Sequence, residues 1–231
     1  MVVRCQMLLV AAAALCGCSL IDASGGGSDR DSGGGADGAA EAGGDAAGSC
    51  RLVDDFEDGV IADEWVAFDE PDAAVVESGG AVRVTFSGAE AWAGYDLRDR
   101  IDFSEGEVRV EVTSAGGLYT GFDVCFGDQE LELWIEDGDV LTGETYNTDT
   151  ADDSTSVVYD PEAHRFLRIR ASGGMVYWEA SPDESNWESI HTQAAAFSLD
   201  DVTVTIEAAG SSGDPPAAFE SFSATPTGCA Q

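Results

Sequence analysis

The chain predicts an all-β domain, a sandwich or barrel of antiparallel strands, and three observations carry that expectation. Apolar and polar residues alternate with a period of two in segment after segment. Gly-rich turn clusters separate those segments. No helical period persists for ten residues, although Gln193 to Phe197 has room for one helical turn. Ten or more short strands in about 180 residues leave few other all-β solutions.

The N-terminus comes first and is not part of that pattern. Met1-Val2-Val3-Arg4 is followed by an apolar run from Met7 to Leu15, then Cys16-Gly17-Cys18. A short positive start, about nine apolar residues and a small residue before a cut make a secretory signal. The run is too short to cross a bilayer. Residues 22–49 then alternate Gly runs with Ala, Ser and Asp, without one aromatic or branched aliphatic residue. Such a stretch cannot bury enough apolar surface to offset its ordering entropy. It reads as a tether spanning roughly 30 Å. The expected organisation is a signal at 1–17, a tether at 18–49 and one domain at 50–229.

Within the domain, Val82, Val84 and Phe86 alternate with Arg83 and Thr85, and Val108, Val110 and Val112 with Glu107, Arg109 and Glu111. Leu131, Leu133 and Ile135 alternate with Glu130, Glu132, Trp134 and Glu136. Leu167 and Ile169 alternate with Phe166, Arg168 and Arg170, and Val202, Val204 and Ile206 with Thr203, Thr205 and Glu207. Each such strand has a core face and a polar face. Ser78-Gly79-Gly80, Ala115-Gly116-Gly117, Asp137-Gly138-Asp139 and Ser172-Gly173-Gly174 supply the turns.

Charge narrows the partners. The chain has 45 Asp plus Glu against 10 basic residues, all Arg, for a net charge of −35. Nucleic acid and anionic lipid headgroups would be repelled. Cys5 and Cys16 belong to the signal, and Cys50, Cys125 and Cys229 to the domain. Cys50 and Cys229 bracket the patterned region, and an exported protein can form disulfides. A Cys50–Cys229 bridge, with Cys125 left as a thiol, is therefore expected. No Cys/His spacing suggests zinc, and His164 and His191 stand apart.

Two segments carry resemblances. Leu15-Cys16-Gly17-Cys18 resembles the bacterial lipobox, which implies that Cys18 receives a lipid, becomes the new N-terminus and anchors the exported protein to a membrane. Ser19 in that setting points to the outer membrane. Ordinary cleavage and soluble export is the alternative. The second segment runs from His164-Arg165-Phe166-Leu167-Arg168-Ile169-Arg170 through a Gly-Gly turn to Trp178-Glu179-Ala180-Ser181-Pro182-Asp183 and Trp187. It resembles the laminin-G / concanavalin A-like jelly rolls, with Glu184-Ser185 where Gly is usual. Asp54-Asp55-Phe56-Glu57-Asp58 and Phe219-Glu220-Ser221-Phe222 resemble the paired first and last strands of such domains. The resemblance implies a two-sheet antiparallel β-sandwich. It leaves lectins, adhesion modules and glycosidases open.

Chemistry is sought on Glu130–Glu136, whose even-numbered side chains share one face. Similarity to the laminarinase-like jelly rolls would make Glu130 a nucleophile, Glu132 its orienting residue and Glu136 the acid/base, with two carboxyls about 5 Å apart. Trp134 on the same face suits stacking on a sugar ring, with Arg168, Arg170 and Tyr177 on candidate neighbouring strands. Core packing is the alternative for Trp134. One structural Ca²⁺ near the paired termini is implied by the fold resemblance, with Asp54, Asp55, Glu57 and Glu220 as oxygen donors. Three functions follow: a glycan-binding or adhesion module, a glycoside hydrolase, and a ligandless structural or partner-binding lipoprotein.

Overall fold

The computed structural model describes residues 51–147 and 153–227, within a compact unit that spans Cys50–Gln231. Cys18, Cys50, Cys229 and the tether lie outside the described residues. The strands in chain order are β1 (Leu52–Asp54), β2 (Trp65–Asp69), β3 (Ala73–Glu77), β4 (Val82–Phe86) and β5 (Ala91–Leu97). Then come β6 (Glu107–Ser114), β7 (Tyr119–Phe126), β8 (Gln129–Glu136), β9 (Val140–Asn147) and β10 (Asp153–Val158). The last five are β11 (Phe166–Ser172), β12 (Met175–Ser181), β13 (Glu188–Ala194), β14 (Thr203–Gly210) and β15 (Ala217–Thr225).

They form two antiparallel sheets packed face to face. One has eight strands in the order β13-β12-β11-β6-β15-β4-β3, with β1 added onto β15; the other has seven in the order β10-β9-β8-β7-β14-β5-β2. The fold class expected from the alternation is what forms. Residues 193–197 do not make a helical turn: β13 runs to Ala194, and the Ala195 amide donates to the Gly174 carbonyl.

Every segment of clear alternation turns its apolar side inward. Val108, Val110, Leu167 and Ile169 from one sheet meet Phe122, Leu131, Leu133, Ile135 and Ile206 from the other, all with 0–1% exposure. Trp178 is the largest fully buried side chain. Gly143 on β9 makes room for it: a Cβ there would lie 2.9 Å from Trp178 Cβ and Cγ. Asp137 and Gly138 (φ 50° and 71°) and Gly173 and Gly174 (φ 60° and 75°) both lie in the left-handed region, as hairpin turns of type I′ require.

The first and last strands pair antiparallel, Leu52 with Ala224 and Asp54 with Phe222. This brings together the ends of the described chain, as a bridge between the flanking cysteines would need. Asp54 then acts as a staple: Oδ1 accepts from the Phe56 amide (2.9 Å) and Oδ2 from Trp65 Nε1 (2.9 Å). The Trp65 ring packs edge-on against Phe222 at 4.7 Å and lies beside Phe56 and Tyr95.

The turn after β12 explains the second resemblance physically. Asp183 Oδ1 accepts from the Ser185 amide (3.0 Å), the Ser185 hydroxyl (2.9 Å) and the Asn186 amide (3.1 Å). These bonds, those from Ser185 foremost, pull its carboxyl down to about 2. Glu184, standing where Gly is usual, is held at φ 60°. That conformation costs a side-chain-bearing residue about 1 kcal/mol, and the half-exposed contact of Glu184 with Arg109 (3.6 Å) contributes less than that. Glu184→Gly should therefore raise stability by about 1 kcal/mol; an unchanged or lower urea midpoint would show that the Arg109 contact outweighs the strain.

Candidate functional site

The outer face of the seven-stranded sheet gathers the candidate chemistry. Burying Leu131, Leu133 and Ile135 turns Glu130, Glu132, Trp134 and Glu136 of β8 the other way. Registered neighbours extend this face in rows. Asp96 of β5, Thr205 of β14, Asp123 of β7, Glu132 of β8 and Glu144 of β9 lie side by side. The next row is Gly94, Glu207, Gly121, Trp134 and Thr142; the one beyond it holds Trp92, Ala209, Tyr119, Glu136 and Val140.

Three rings pack against one another in a row across these strands, and the middle one, Tyr119, is only 9% exposed. Tyr119 stacks on Trp134 with centroids 5.0 Å apart and planes 17° from parallel, and Trp92 lies 5.0 Å from Tyr119 on the other side. Trp134 is half-buried on this outer face and is not a core residue. Its Nε1 is shielded and has no hydrogen-bond partner. Gly121 allows the close approach, because a Cβ there would sit 2.7 Å from Trp134 Cα and Cβ. Gly94 and Gly121 flank Glu207 in its row without side chains of their own.

The carboxyl groups are crowded. Tyr119 Oη donates to Asp123 Oδ1 at 2.8 Å. Asp123 also shares a hydrogen bond with Glu207, and Glu132 one with Glu130. Burial, then the charges of Glu207 and Glu130, push the Asp123 carboxyl well above the usual carboxylate range. Burial, then the charge of Asp123 and the hydrogen bond with Glu130, do the same to Glu132. Burial also raises Asp96, against the Thr205 hydroxyl that donates to it at 2.8 Å. Carboxyls in mutual hydrogen bonds retain protons and can donate as well as accept.

Only some of the expected site residues meet here. Glu130, Glu132, Trp134 and Glu136 share the face. Glu130 and Glu136, however, are six residues apart on a strand paired without irregularity on both sides, about 20 Å along the backbone. They do not approach as a nucleophile and acid/base of a retaining glycosidase must. Arg168, Arg170 and Tyr177 lie on β11 and β12, on the outer face of the other sheet, because Leu167 and Ile169 fill the core between them. There Arg168 stands over the Trp187 ring (4.0 Å) and bonds Glu179 (2.7 Å), and Arg170 stands over Tyr177 (4.1 Å).

The calcium donors are not drawn together either. Both Asp54 oxygens are used by Phe56 and Trp65, Asp55 Oδ1 caps the Glu57 amide (3.2 Å), and Glu220 faces Arg165 (3.7 Å). Among the described residues no group of three or more His, Cys, Asp or Glu is arranged to hold a metal. Trp92, Tyr119, Asp123 and Glu207 were not expected at the site. Their strands, Ala91-Trp92-Ala93-Gly94 and Tyr119-Thr120-Gly121-Phe122, carry small residues that blur the alternation.

No protein-family model and no curated protein sequence matches the chain. Solved structures do match. The catalytic domain of an endo-1,3-β-glucanase (laminarinase) from Thermotoga petrophila RKU-1 has a TM-score of 0.56 at 9% identity, over 76% of this chain and 97% of that one. The Ca²⁺-bound exoplasmic/lumenal domain of VIP36 has a TM-score of 0.55 at 11% identity, over 78% and 91%. The fold is a concanavalin A-like jelly roll. A β-1,3-1,4-glucanase (lichenase) from a mouse hindgut metagenome is similar too, with a TM-score of 0.52 at 12% identity over 76% and 99%.

The carboxyl cluster has a consequence for stability. Asp123 and Glu132 bind their protons more tightly folded than unfolded. The folded state therefore holds more protons between the ordinary carboxylate range and their raised values, and stability falls as pH rises through that window. Asp123→Asn keeps the acceptor for Tyr119 and removes the titration. It should flatten the decline and raise the melting temperature at neutral pH; a decline as steep as in the parent would place its origin elsewhere.

Proposed function

We propose that the outer face of the seven-stranded sheet binds carbohydrate and does not cleave it. The stacked Tyr119–Trp134 pair, extended by Trp92 and bordered by carboxyl and hydroxyl groups, carries this reading. Sugar rings present an apolar face to aromatic side chains and hydroxyls to the groups around them. The sugar-bound VIP36 domain (Ca²⁺/Man2, TM-score 0.54) and the glucanases support carbohydrate as the ligand class for this fold. Hydrolysis is the second reading, favoured by Glu130 and Glu132 sharing one face of one strand. The distance between Glu130 and Glu136 along β8 weighs against it.

An open sheet face buries little of a ligand, so weak binding is expected. Trp134→Ala should reduce retention on a bound polysaccharide at least tenfold, about 1.4 kcal/mol, and lower stability by about 1 kcal/mol through loss of the aromatic pair. Retention equal to the parent's in a folded variant would sink the proposal. Release of reducing sugar by the parent but not by Glu130→Gln would put the hydrolase reading in its place.

We further propose that this face is displayed on an exported lipoprotein anchored through Cys18 to the bacterial envelope, at the outer membrane. Cys18→Ser should then move the protein from the detergent phase to the aqueous phase. A variant that stays in the detergent phase would remove the anchor.

A further inference from the structure

The outward amides and carbonyls of an edge strand are a template for another chain unless something blunts them. Three of the four sheet ends here, β13, β3 and β2, are blunted. β13 bulges at Ile190, between the pairs Trp178–His191 and Glu179–Ser189, and opens on Glu188. β3 ends at Glu77, whose Oε1 accepts from the Gly59 and Val60 amides (3.0 and 3.2 Å), so a loop crosses that end. On β2 the Trp65 amide donates to the Ala62 carbonyl (3.0 Å), the Trp65 carbonyl accepts from Arg98 (3.3 Å), and the strand runs into Glu70-Pro71. β1, added at the side of β15, is only three residues long.

The fourth end, β10, has none of these devices among the described residues. Its six residues, Asp153-Ser154-Thr155-Ser156-Val157-Val158, pair with β9 without irregularity, include no Pro and carry charge only at Asp153. The Tyr159 amide donates to the Asp139 carbonyl at 2.8 Å. That bond sets the phase of the antiparallel ladder. Thr155 and Val157 turn their amides and carbonyls to β9, and Ser154, Ser156 and Val158 turn theirs to the open edge. All three are exposed, and Val158, at 82%, is the most exposed large apolar side chain among the described residues. On a chain of net charge −35 this stripe is uncharged, and Val140 and Thr142 of β9 lie beside it.

We propose that β10 is the interface with a second copy of this chain, the two strands pairing antiparallel about a two-fold axis so that the two seven-stranded sheets become continuous. One register engages every open group: Ser156 stands opposite Ser156 of the partner subunit, and Ser154 opposite Val158 of the partner subunit. Each such pair exchanges two backbone hydrogen bonds. The same register keeps like charges apart. The two Asp153 side chains lie six residues from one another along the junction, about 20 Å, well beyond a Debye length of about 8–10 Å. A second copy also presents the same uncharged stripe of hydroxyls and valine, so the surface is its own complement. The two-fold axis uses both open edges, and assembly closes at two chains. An edge this short belongs to the weak, transient class of interface. Asp153 and Asp160 flank it at each end, so added salt strengthens the pairing.

The test uses the full-length protein in detergent. Under mild oxidation Ser156→Cys should form a disulfide-linked dimer, because the Cα atoms of a hydrogen-bonded antiparallel pair lie about 5.5 Å apart, within the reach of a disulfide. Ser154→Cys alone should not, since the two Ser154 positions lie about 14 Å apart; mixed with Val158→Cys it should. The parent protein, whose Cys125 is buried, sets the background. In sedimentation over a concentration series the parent should approach twice its chain mass and stop there. Val158→Glu and Ser156→Pro should each weaken the dimer at least tenfold. Both act on groups that face away from β9, so the melting temperature of the monomer should stay near the parent's. Ser154→Cys that cross-links as well as Ser156→Cys, a monomer at every concentration, growth beyond two chains, or a dimer indifferent to both Val158→Glu and Ser156→Pro overturns the proposal.

Discussion

The two-residue period of β8 is the constraint on which the rest depends. Leu131, Leu133 and Ile135 each exclude water from the core, contributing about 1.5–3 kcal/mol apiece. Their commitment leaves Glu130, Glu132, Trp134 and Glu136 no choice of side, since a shift of one residue would bury three carboxylates and expose three aliphatic chains. Regular pairing with β7 on one edge and β9 on the other fixes that register. The site face is in this sense a by-product of the core. It also comes at a cost in free energy, for carboxyls packed this closely must retain protons or find a cation.

Legibility followed side-chain size. β4, β6, β8 and β11 were readable because Val, Leu and Ile mark one side and Glu or Arg the other. β5 and β7 were not, because Ala and Gly occupy positions where a larger residue would have declared a face. Two of the three rings, Trp92 and Tyr119, lie on those two strands. The order of strands in the sheets was not readable either. Arg168, Arg170 and Tyr177 look like neighbours of Trp134 in one dimension, and strand alternation says nothing about which sheet a hairpin joins. The opening acidic cluster misled in another way: Asp54 resembles a metal ligand in composition, yet its two oxygens hold a backbone amide and an indole.

The two outer faces show how the same residue types serve different ends. On the eight-stranded sheet, Arg168 is held by Glu107, Glu179 and the Trp187 ring at once. Such a side chain is locked by its own neighbours and has little left to offer a ligand. On the seven-stranded sheet the aromatic rings touch one another, and the Trp134 Nε1–H has no acceptor. Arg109 Nε, beside Arg168 on the first face, is likewise shielded without a partner.

The uneven placement of arginine has a consequence for the whole body. The arginines that lie within strands, Arg83, Arg109, Arg168 and Arg170, all belong to the eight-stranded sheet, and such a bias gives the body an electric moment across its thickness as well as a large net charge. Any negatively charged boundary, whether a lipid leaflet or a sheath of acidic polymer, exerts a torque on it within about a Debye length. The sheet that bears those arginines swings towards the boundary, and the other sheet turns away from it.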